Sequence, residues 1–189
     1  MNIRIAREML GCSNMAIPYL IYSNTIWNTL IVSPPGCGKT TLLRDIIRRL
    51  SNGIPELNFK GITCGVVDER GEIAATYKGI AQNDLGIRTD VIDNISKAIG
   101  MKMLIRSMSP KVIVADEIGK QEDIVAIENA VTSGVKGIFT AHGASLEQIE
   151  TNPILNKLLQ NNYIERILLL DSKRKINLIF ENQKKRQVV

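Results

Sequence analysis

The sequence has 189 residues, of which 44% are hydrophobic, and this size and apolar content suit one soluble domain. No apolar run approaches the roughly 18 residues that argue for a membrane-spanning helix, and residues 1–5 lack the apolar block of a secretory signal. The three cysteines, Cys12, Cys37 and Cys64, cannot all pair and lack metal-ligand spacing, so a reducing cytoplasm is the expected setting.

The net charge of +5 is concentrated at the C-terminus. Residues 173–189 contain six of the 24 basic side chains and one of the 19 acidic ones, so the rest of the chain is neutral overall. A neutral body with 4% aromatic residues offers little surface for nucleic acid, and no specific nucleic acid is expected as a partner. The basic end is interpreted as a solvated tail, with an anionic membrane surface or an acidic partner as the alternative.

Strands alternate with amphipathic helices along the chain, which predicts a mostly parallel sheet with helices on both faces. Asn152, followed by proline, is typical of a helix N-cap. The predicted order is a strand over residues 29–32, a helix over 38–50, a strand over 62–67, a loop over 71–90, a helix over 91–106, a strand over 112–115, a helix over 121–132, a strand over 137–140, the helix after 152, and a C-terminal hairpin of 167–170 and 176–180.

Residues 33–41 lie between a predicted strand and a predicted helix, the context in which a Walker A motif binds phosphate. Two glycines would let successive backbone N–H groups surround the phosphates, and the helix N-terminus would add positive partial charge. Lys39 would reach the β- and γ-phosphates of ATP, and the Thr40 hydroxyl would coordinate Mg²⁺. The predicted ATP-binding residues are Ser33, Pro34, Pro35, Gly36, Cys37, Gly38, Lys39, Thr40 and Thr41.

Ser33 occupies the position of the usual first glycine of this motif. That position is the farthest from the phosphates, so we expect an altered loop geometry and retained binding. Cys37 is interpreted as a small residue tolerated in the loop, with a redox role as the unsupported alternative. A glycine-rich turn that binds nothing is disfavoured, because the glycines, lysine and threonine are correctly framed by a strand and a helix.

A second motif follows the apolar strand over residues 112–115. Asp116 would face the magnesium shell from the carboxyl end of a parallel strand beside the strand that leads into the Walker A motif. Glu117 could orient and deprotonate an attacking water, which favours a hydrolase over a kinase. The alternative, that the two acids merely cap a turn, is disfavoured because the chain also contains a Walker A motif. The pair of motifs predicts an α/β fold of the RecA-like or AAA+-type P-loop NTPase class.

Other polar residues near predicted strand ends are weaker candidates for the site. Thr140 occupies the place of a γ-phosphate sensor, and His142, the one histidine of the chain, follows the same strand. Asp68 and Glu69 form either a second acidic box near the site or a solvated turn. A further group of candidates could neutralise charge in the transition state, although most surface arginines do not. These arginines are Arg70, Arg88 and Arg106.

The combined pattern resembles the stage III sporulation protein AA family, ATPases of the sporulation channel that are related to the hexameric ATPases of type II and type IV secretion and of pili. The resemblance spans nearly the whole chain, and several stretches are far longer than a generic P-loop match. Ser33, unusual for the general motif, is usual for this family. The matching stretches are residues 2–8, 33–45, 67–73, 83–91, 104–110, 114–119 and 140–143.

The resemblance implies an ATP-driven motor on the mother-cell face of a channel into the forespore. It implies a homo-hexamer in the full-length form, peripherally associated with the membrane through embedded channel proteins. It also implies that residues 68–72 correspond to the acidic box of the secretion ATPases and residues 140–142 to their histidine box. Arg106 would contribute to the nucleotide site or to the subunit interface.

The chain is expected to divide into three segments. Residues 1–25 would be the remnant of a linker from a missing N-terminal domain, with a strand over residues 2–6. Residues 26–183 would form the ATPase domain, and residues 184–189 the basic tail.

Two other functions compete with the transport motor. One is an ATP-dependent nucleic-acid translocase with the same RecA-like core, which the neutral body and few aromatic residues disfavour. The other is a nucleotide-gated scaffold that binds ATP but hardly turns it over. Comparing ATP affinity with turnover separates the motor from the scaffold.

Overall fold

The computed structural model describes residues 9–181 and the backbone of residues 186–188. The strand expected at residues 2–6 and the side chains of the expected basic tail lie outside these residues. A central sheet of eight strands has the order β8-β7-β6-β1-β5-β4-β2-β3. Its strands are β1 Thr29–Ser33, β2 Cys64–Asp68, β3 Thr89–Asp93, β4 Val112–Ala115, β5 Lys136–His142, β6 Arg166–Leu170, β7 Ile176–Glu181 and β8 Arg186–Val188.

Neighbouring strands from β6 to β3 all pair in parallel, whereas β7 and β8 extend the sheet antiparallel from β6. The prediction of a mostly parallel sheet with a C-terminal hairpin is confirmed. Because the parallel strands share one direction, their carboxyl ends meet at one edge of the sheet. The loops that carry the two predicted motifs leave the sheet at this edge.

Helices cover both faces of the sheet, as predicted. Side chains alternate across β1, so that Ile31 joins the core beneath one layer of helices while Leu30 and Val32 join the other. In the part of the chain that the structure describes, no helix is both long and apolar enough to cross a membrane. The helices are α1 Ile17–Leu20, α2 Lys39–Asn52, α3 Lys97–Met108, α4 Gln121–Thr132, α5 Leu146–Thr151 and α6 Pro153–Gln160.

The segment before β1 packs against α2. Ile17 and Leu20 are buried in the same core as α2, and both the backbone N–H and the hydroxyl of Ser13 donate to the Asp45 carboxylate. Burial of Asp45 opposes its ionisation, but the hydrogen bonds from Ser13 and Arg48 outweigh this and hold its pKa below the ordinary value. The segment boundaries at residues 25 and 183 stay predictions.

The helix predicted over residues 91–106 was wrong at its start. Val91 and Ile92 belong to β3 and contribute to opposite cores, a two-residue period that a short apolar run cannot distinguish from a helix. Asn94 then adopts a left-handed φ of 56°, and α3 begins only after Ser96. The short helix α5 was not predicted; the Ser145 side chain caps it by accepting from the backbone of its third residue.

Candidate nucleotide-binding site

The loop between β1 and α2 has the backbone of a phosphate-binding turn. Gly36 and Gly38 have φ values of 75° and 85°, in the left-handed region that favours glycine. Gly38 is the N-cap of α2 and has no side chain with which to cap it. The first backbone N–H groups of α2 can therefore donate hydrogen bonds to a ligand, and the helix dipole would stabilise an anion bound there.

The Lys39 ammonium is held inside this loop. The side chain is almost fully buried, and its Nζ donates to the Ser33 carbonyl at 3.1 Å, the Ser33 hydroxyl at 3.3 Å and the Pro34 carbonyl at 3.4 Å. Burial lowers the pKa of Lys39, an effect that the nearby carboxylates of Glu117 and Asp116 oppose. The hydroxyl of Ser33 thus supplies a contact that the usual glycine could not make.

The two predicted motifs meet at the carboxyl ends of β1 and β4. The prediction that these two strands are neighbours was wrong, because β5 pairs with both and lies between them. Thr40 Oγ1 donates to Asp116 Oδ2 at 2.8 Å, and Thr140 Oγ1 donates to the other oxygen of the same carboxylate. Thr140 also accepts from the backbone N–H of Glu117 and is fully buried. The hydroxyl of Thr140 therefore positions Asp116, while its assignment as a γ-phosphate sensor stays a prediction.

Glu117 lies in a strained turn directly after β4. Its φ of 42° is left-handed, a conformation that residues other than glycine rarely adopt and that clusters at functional sites. The backbone N–H of Ile118 donates to the Thr140 carbonyl at 2.8 Å and holds this turn against β5. The Glu117 carboxylate accepts from Arg70 at 3.0 Å and from His142 Nε2 at 2.9 Å. It borders an open recess of about 480 Å³.

His142 connects the lysine to the carboxylate. Its Nδ1 lies 3.2 Å from Lys39 Nζ, and its Nε2 contacts Glu117. Because an ammonium donates hydrogen bonds and a carboxylate accepts them, these contacts fit the tautomer with the proton on Nε2. Lys39 at the start of α2, His142 at the end of β5 and Glu117 after β4 thus form one chain of polar contacts.

The three candidate arginines lie at opposite edges of the sheet. Arg70 is at the carboxyl edge, beside Glu117. Arg88 immediately precedes β3, and its guanidinium donates to the Ser51 carbonyl near the far end of α2 at 2.9 Å. Arg106 is exposed in the last turn of α3, before β4 begins. The length of α2 places Arg88 about 20 Å from the phosphate-binding loop, so a role across a subunit interface stays the prediction for Arg88 and Arg106.

Asp68 organises the backbone of the loop that follows β2. The carboxylate is buried and accepts from the N–H groups of Glu72 at 2.8 Å, Ile73 at 3.0 Å and Ala74 at 2.8 Å. These three bonds fix the course of the chain directly beside Arg70. Asp68 is therefore not a solvated turn residue, and its place in an acidic box stays a prediction.

Removing this carboxylate should destabilise the fold. We expect Asp68→Ala to lower the free energy of unfolding by about 3–5 kcal/mol, because buried amides lose their acceptor. Urea unfolding followed by circular dichroism measures the change. Asp90→Ala is the matched control, since Asp90 is an exposed carboxylate on β3, and it should stay within about 0.5 kcal/mol of the parent. Equal unfolding midpoints for the two variants would contradict this role.

Glu69 lies beside two lysines at the same edge of the sheet. Its carboxylate pairs with the buried Lys97 of α3 and lies 3.7 Å from Lys120 Nζ. The hydrogen bond from Lys97 holds the pKa of Glu69 below its ordinary value. The carboxylate is thus ionised, and the two lysines balance its charge. Its ion pair with Lys97 holds the start of α3 against the loop after β2.

A second recess adjoins the phosphate-binding loop and was not predicted. Arg174 lies on the turn between β6 and β7, and its Cδ would be 3.4 Å from a Cβ placed on Gly38. In the sequence this arginine counted only toward the basic C-terminal end. Arg174 reaches the loop because β6 pairs with β1. This pairing cannot be inferred from the order of residues in the sequence. The recess has a volume of about 250 Å³ and is lined by Met9, Cys12, Met15, Cys37, Gly38, Thr41, Leu42, Leu170 and Arg174.

The residues present fit a magnesium–nucleotide complex. Among the described residues no group of three or more histidine, cysteine, aspartate or glutamate side chains could hold a metal ion. Magnesium at a phosphate site needs fewer protein ligands, because it keeps several waters and binds the phosphates. The Thr40 hydroxyl and Asp116 carboxylate, 2.8 Å apart, are oxygen donors of the kind it prefers.

Solved structures share this fold. The ATPase DotB of Legionella pneumophila superposes with a TM-score of 0.57 at 18% identity, covering 86% of this chain and 46% of that one. The VirB11 ATPase of the Brucella suis type IV secretion system, solved in complex with sulphate, gives a TM-score of 0.54 at 15% identity, covering 83% and 48%. The predicted P-loop ATPase fold is therefore confirmed.

Sequence relatives define the family. Stage III sporulation protein AA of Bacillus subtilis (strain 168) is 47% identical over 169 residues, which cover 89% of this chain and 54% of the relative. The chain thus spans about half the length of that relative. Residues 1–187 match the family described as sporulation stage III, protein AA. With a match of this extent and a relative of this identity, the chain belongs to the sporulation stage III protein AA family.

Proposed function

We propose that the chain is an ATP-hydrolysing motor subunit of a sporulation-specific secretion or channel apparatus between mother cell and forespore. The 2.8 Å contact between Thr40 and Asp116 carries this proposal, because it joins the phosphate-binding loop to the acidic strand end in the manner a magnesium–ATP site requires. The family membership and the secretion-ATPase fold support the transport setting.

Each residue of the site has a distinct task. Lys39 would exchange its contacts with Ser33 and Pro34 for phosphate oxygens, and the amides at the start of α2 would donate to the same group. Bound magnesium–ATP supplies the phosphoanhydride bond and the metal that neutralises its charge. Glu117 would then accept a proton from the attacking water.

The contacts of Glu117 bear on the rate of this step. Arg70 and His142 both donate to its carboxylate in the present arrangement. A change in either contact would alter how the Glu117 carboxylate meets the attacking water, and rearrangement of Lys39 beside His142 provides a route to such a change.

The assembly and setting extend the same proposal. The full-length protein would act as a homo-hexamer on the mother-cell side, peripherally attached to the membrane through embedded channel proteins. Arg88 and Arg106, at the sheet edge away from the site of their own chain, would be available to a neighbouring subunit. A charge supplied across an interface can raise the rate of phosphoryl transfer by orders of magnitude.

ATP affinity, turnover and assembly state, measured on one preparation, test the proposal. Calorimetry with Mg²⁺ and ATP should register binding, and turnover per chain should rise with protein concentration. Sedimentation with a slowly hydrolysed ATP analogue should show larger species than sedimentation without it. Tight binding with no turnover at high protein concentration would instead indicate a scaffold, and salt-sensitive stimulation by nucleic acid would indicate a translocase. Absence of any binding heat would contradict the nucleotide site itself.

A further inference from the structure

The phosphate-binding loop has two chemically different sides. β1 is flanked by β5 on one side and by β6 on the other. Glu117 and His142 lie on the β5 side, where the terminal phosphate must be if Glu117 activates water. The remainder of a nucleotide must then extend away from Glu117, toward α2 and β6. The recess of about 250 Å³ lies in that direction.

The lining of this recess suits an uncharged, flat group. Thioether, thiol and leucine side chains supply most of its surface, with Leu170 at the end of β6 and Thr41 in the first turn of α2. Cys12 Sγ lies 3.7 Å from the Thr41 carbonyl. Burial, reinforced by Asp45, raises the pKa of Cys12 to about 11, so its thiol stays neutral at physiological pH. A charged group would lose hydration here with little compensation.

The turn between β6 and β7 is built to hold Arg174 over this recess. Asp171 Oδ1 accepts from the backbone N–H of Lys173 at 2.8 Å and of Lys175 at 2.9 Å. The N–H of Arg174 donates to the Asp171 carbonyl at 3.0 Å. These bonds stabilise the left-handed φ of 64° at Arg174, which sends its side chain across Gly38. A planar guanidinium in that place can stack on an aromatic ring.

We infer that the recess between α2 and the β6–β7 turn holds the aromatic base of the nucleotide, and that Arg174 covers that base. The inference rests on the proposed nucleotide site and adds the position and contacts of the base. It makes Arg174 a residue that distinguishes a nucleotide from a bare polyphosphate. Phosphate contacts and base contacts then come from different segments of the chain.

Binding of two ligands to one variant separates the contributions. ADP with Mg²⁺ reaches both the loop and the recess, whereas inorganic triphosphate reaches the loop alone. We expect Arg174→Ala to weaken ADP binding about tenfold and to leave triphosphate binding unchanged. Lys173→Ala is the matched control, because Lys173 is an exposed cation on the same turn that does not line the recess. It should change neither affinity.

Three results would overturn the assignment of the base. Equal weakening of ADP and triphosphate would mean that Arg174 acts on the phosphates or on the loop. No weakening of either would place the base elsewhere, and equal weakening by Lys173→Ala would reduce the effect to general positive charge. Failure of the unaltered chain to bind either ligand would instead reject the nucleotide site, so the two proposals fail separately.

Discussion

Lys39→Ala should weaken ATP binding by about two to three orders of magnitude in calorimetric titrations with Mg²⁺. The ammonium is nearly inaccessible to solvent and is already surrounded by loop acceptors, so a phosphate that replaces them gains a desolvated charge contact. Truncating one partner of a buried, hydrogen-bonded charge pair typically costs about 2–5 kcal/mol of binding free energy. Each tenfold change in affinity corresponds to about 1.4 kcal/mol. The variant should bind ADP and ATP poorly alike.

Lys102→Ala is a suitable control for this experiment, because Lys102 is an exposed lysine of α3. It changes the net charge by the same amount and should leave ATP affinity unaltered. Thermal unfolding must accompany both titrations, since Lys39→Ala also leaves loop carbonyls without their donor. A folded Lys39→Ala chain with the parent affinity would refute the phosphate role of this lysine.

Glu117→Gln should retain ATP and lose hydrolysis. The amide has the shape of the carboxylate, and its oxygen can still accept from His142 or Arg70, but it cannot take a proton from water. General-base catalysis typically contributes 10²–10⁴-fold to a rate, and we expect turnover to fall by about that factor. Phosphate release measured at saturating ATP, with binding measured separately, distinguishes the two steps.

The stability of Glu117→Gln should change little. Its ion pair with the 66% exposed Arg70 is largely solvated, and such pairs contribute about 0–1 kcal/mol. Glu122→Gln, at an exposed carboxylate of α4, is the control and should hydrolyse ATP normally. Turnover in Glu117→Gln equal to that of the parent would exclude Glu117 as the base.

The motifs could be located from the sequence because their chemistry is local. A glycine-rich turn between a strand and a helix specifies the loop around Lys39, and an apolar run before Asp116 specifies a buried strand with its acid at the tip. Their proximity followed from one general property of parallel sheets, the shared edge of carboxyl ends. The contact between Thr40 and Asp116 agrees with that reasoning.

Contacts between distant segments could not be predicted in the same way. No local pattern ranks Arg70, Arg88 and Arg106, since each follows or precedes a predicted element. Strand direction separates them, because residues that precede parallel strands lie at the edge opposite the site. Arg174 was missed because its position depends on the pairing of β6 with β1, which no local pattern reports.

The imidazole of His142 links the phosphate-binding loop to the Glu117 carboxylate. His142 touches Lys39 with one nitrogen and Glu117 with the other, so a movement of either partner changes the hydrogen bonding available to the second. A polyanion that draws the lysine toward its own oxygens would therefore alter the hydrogen bonding of Glu117 as well.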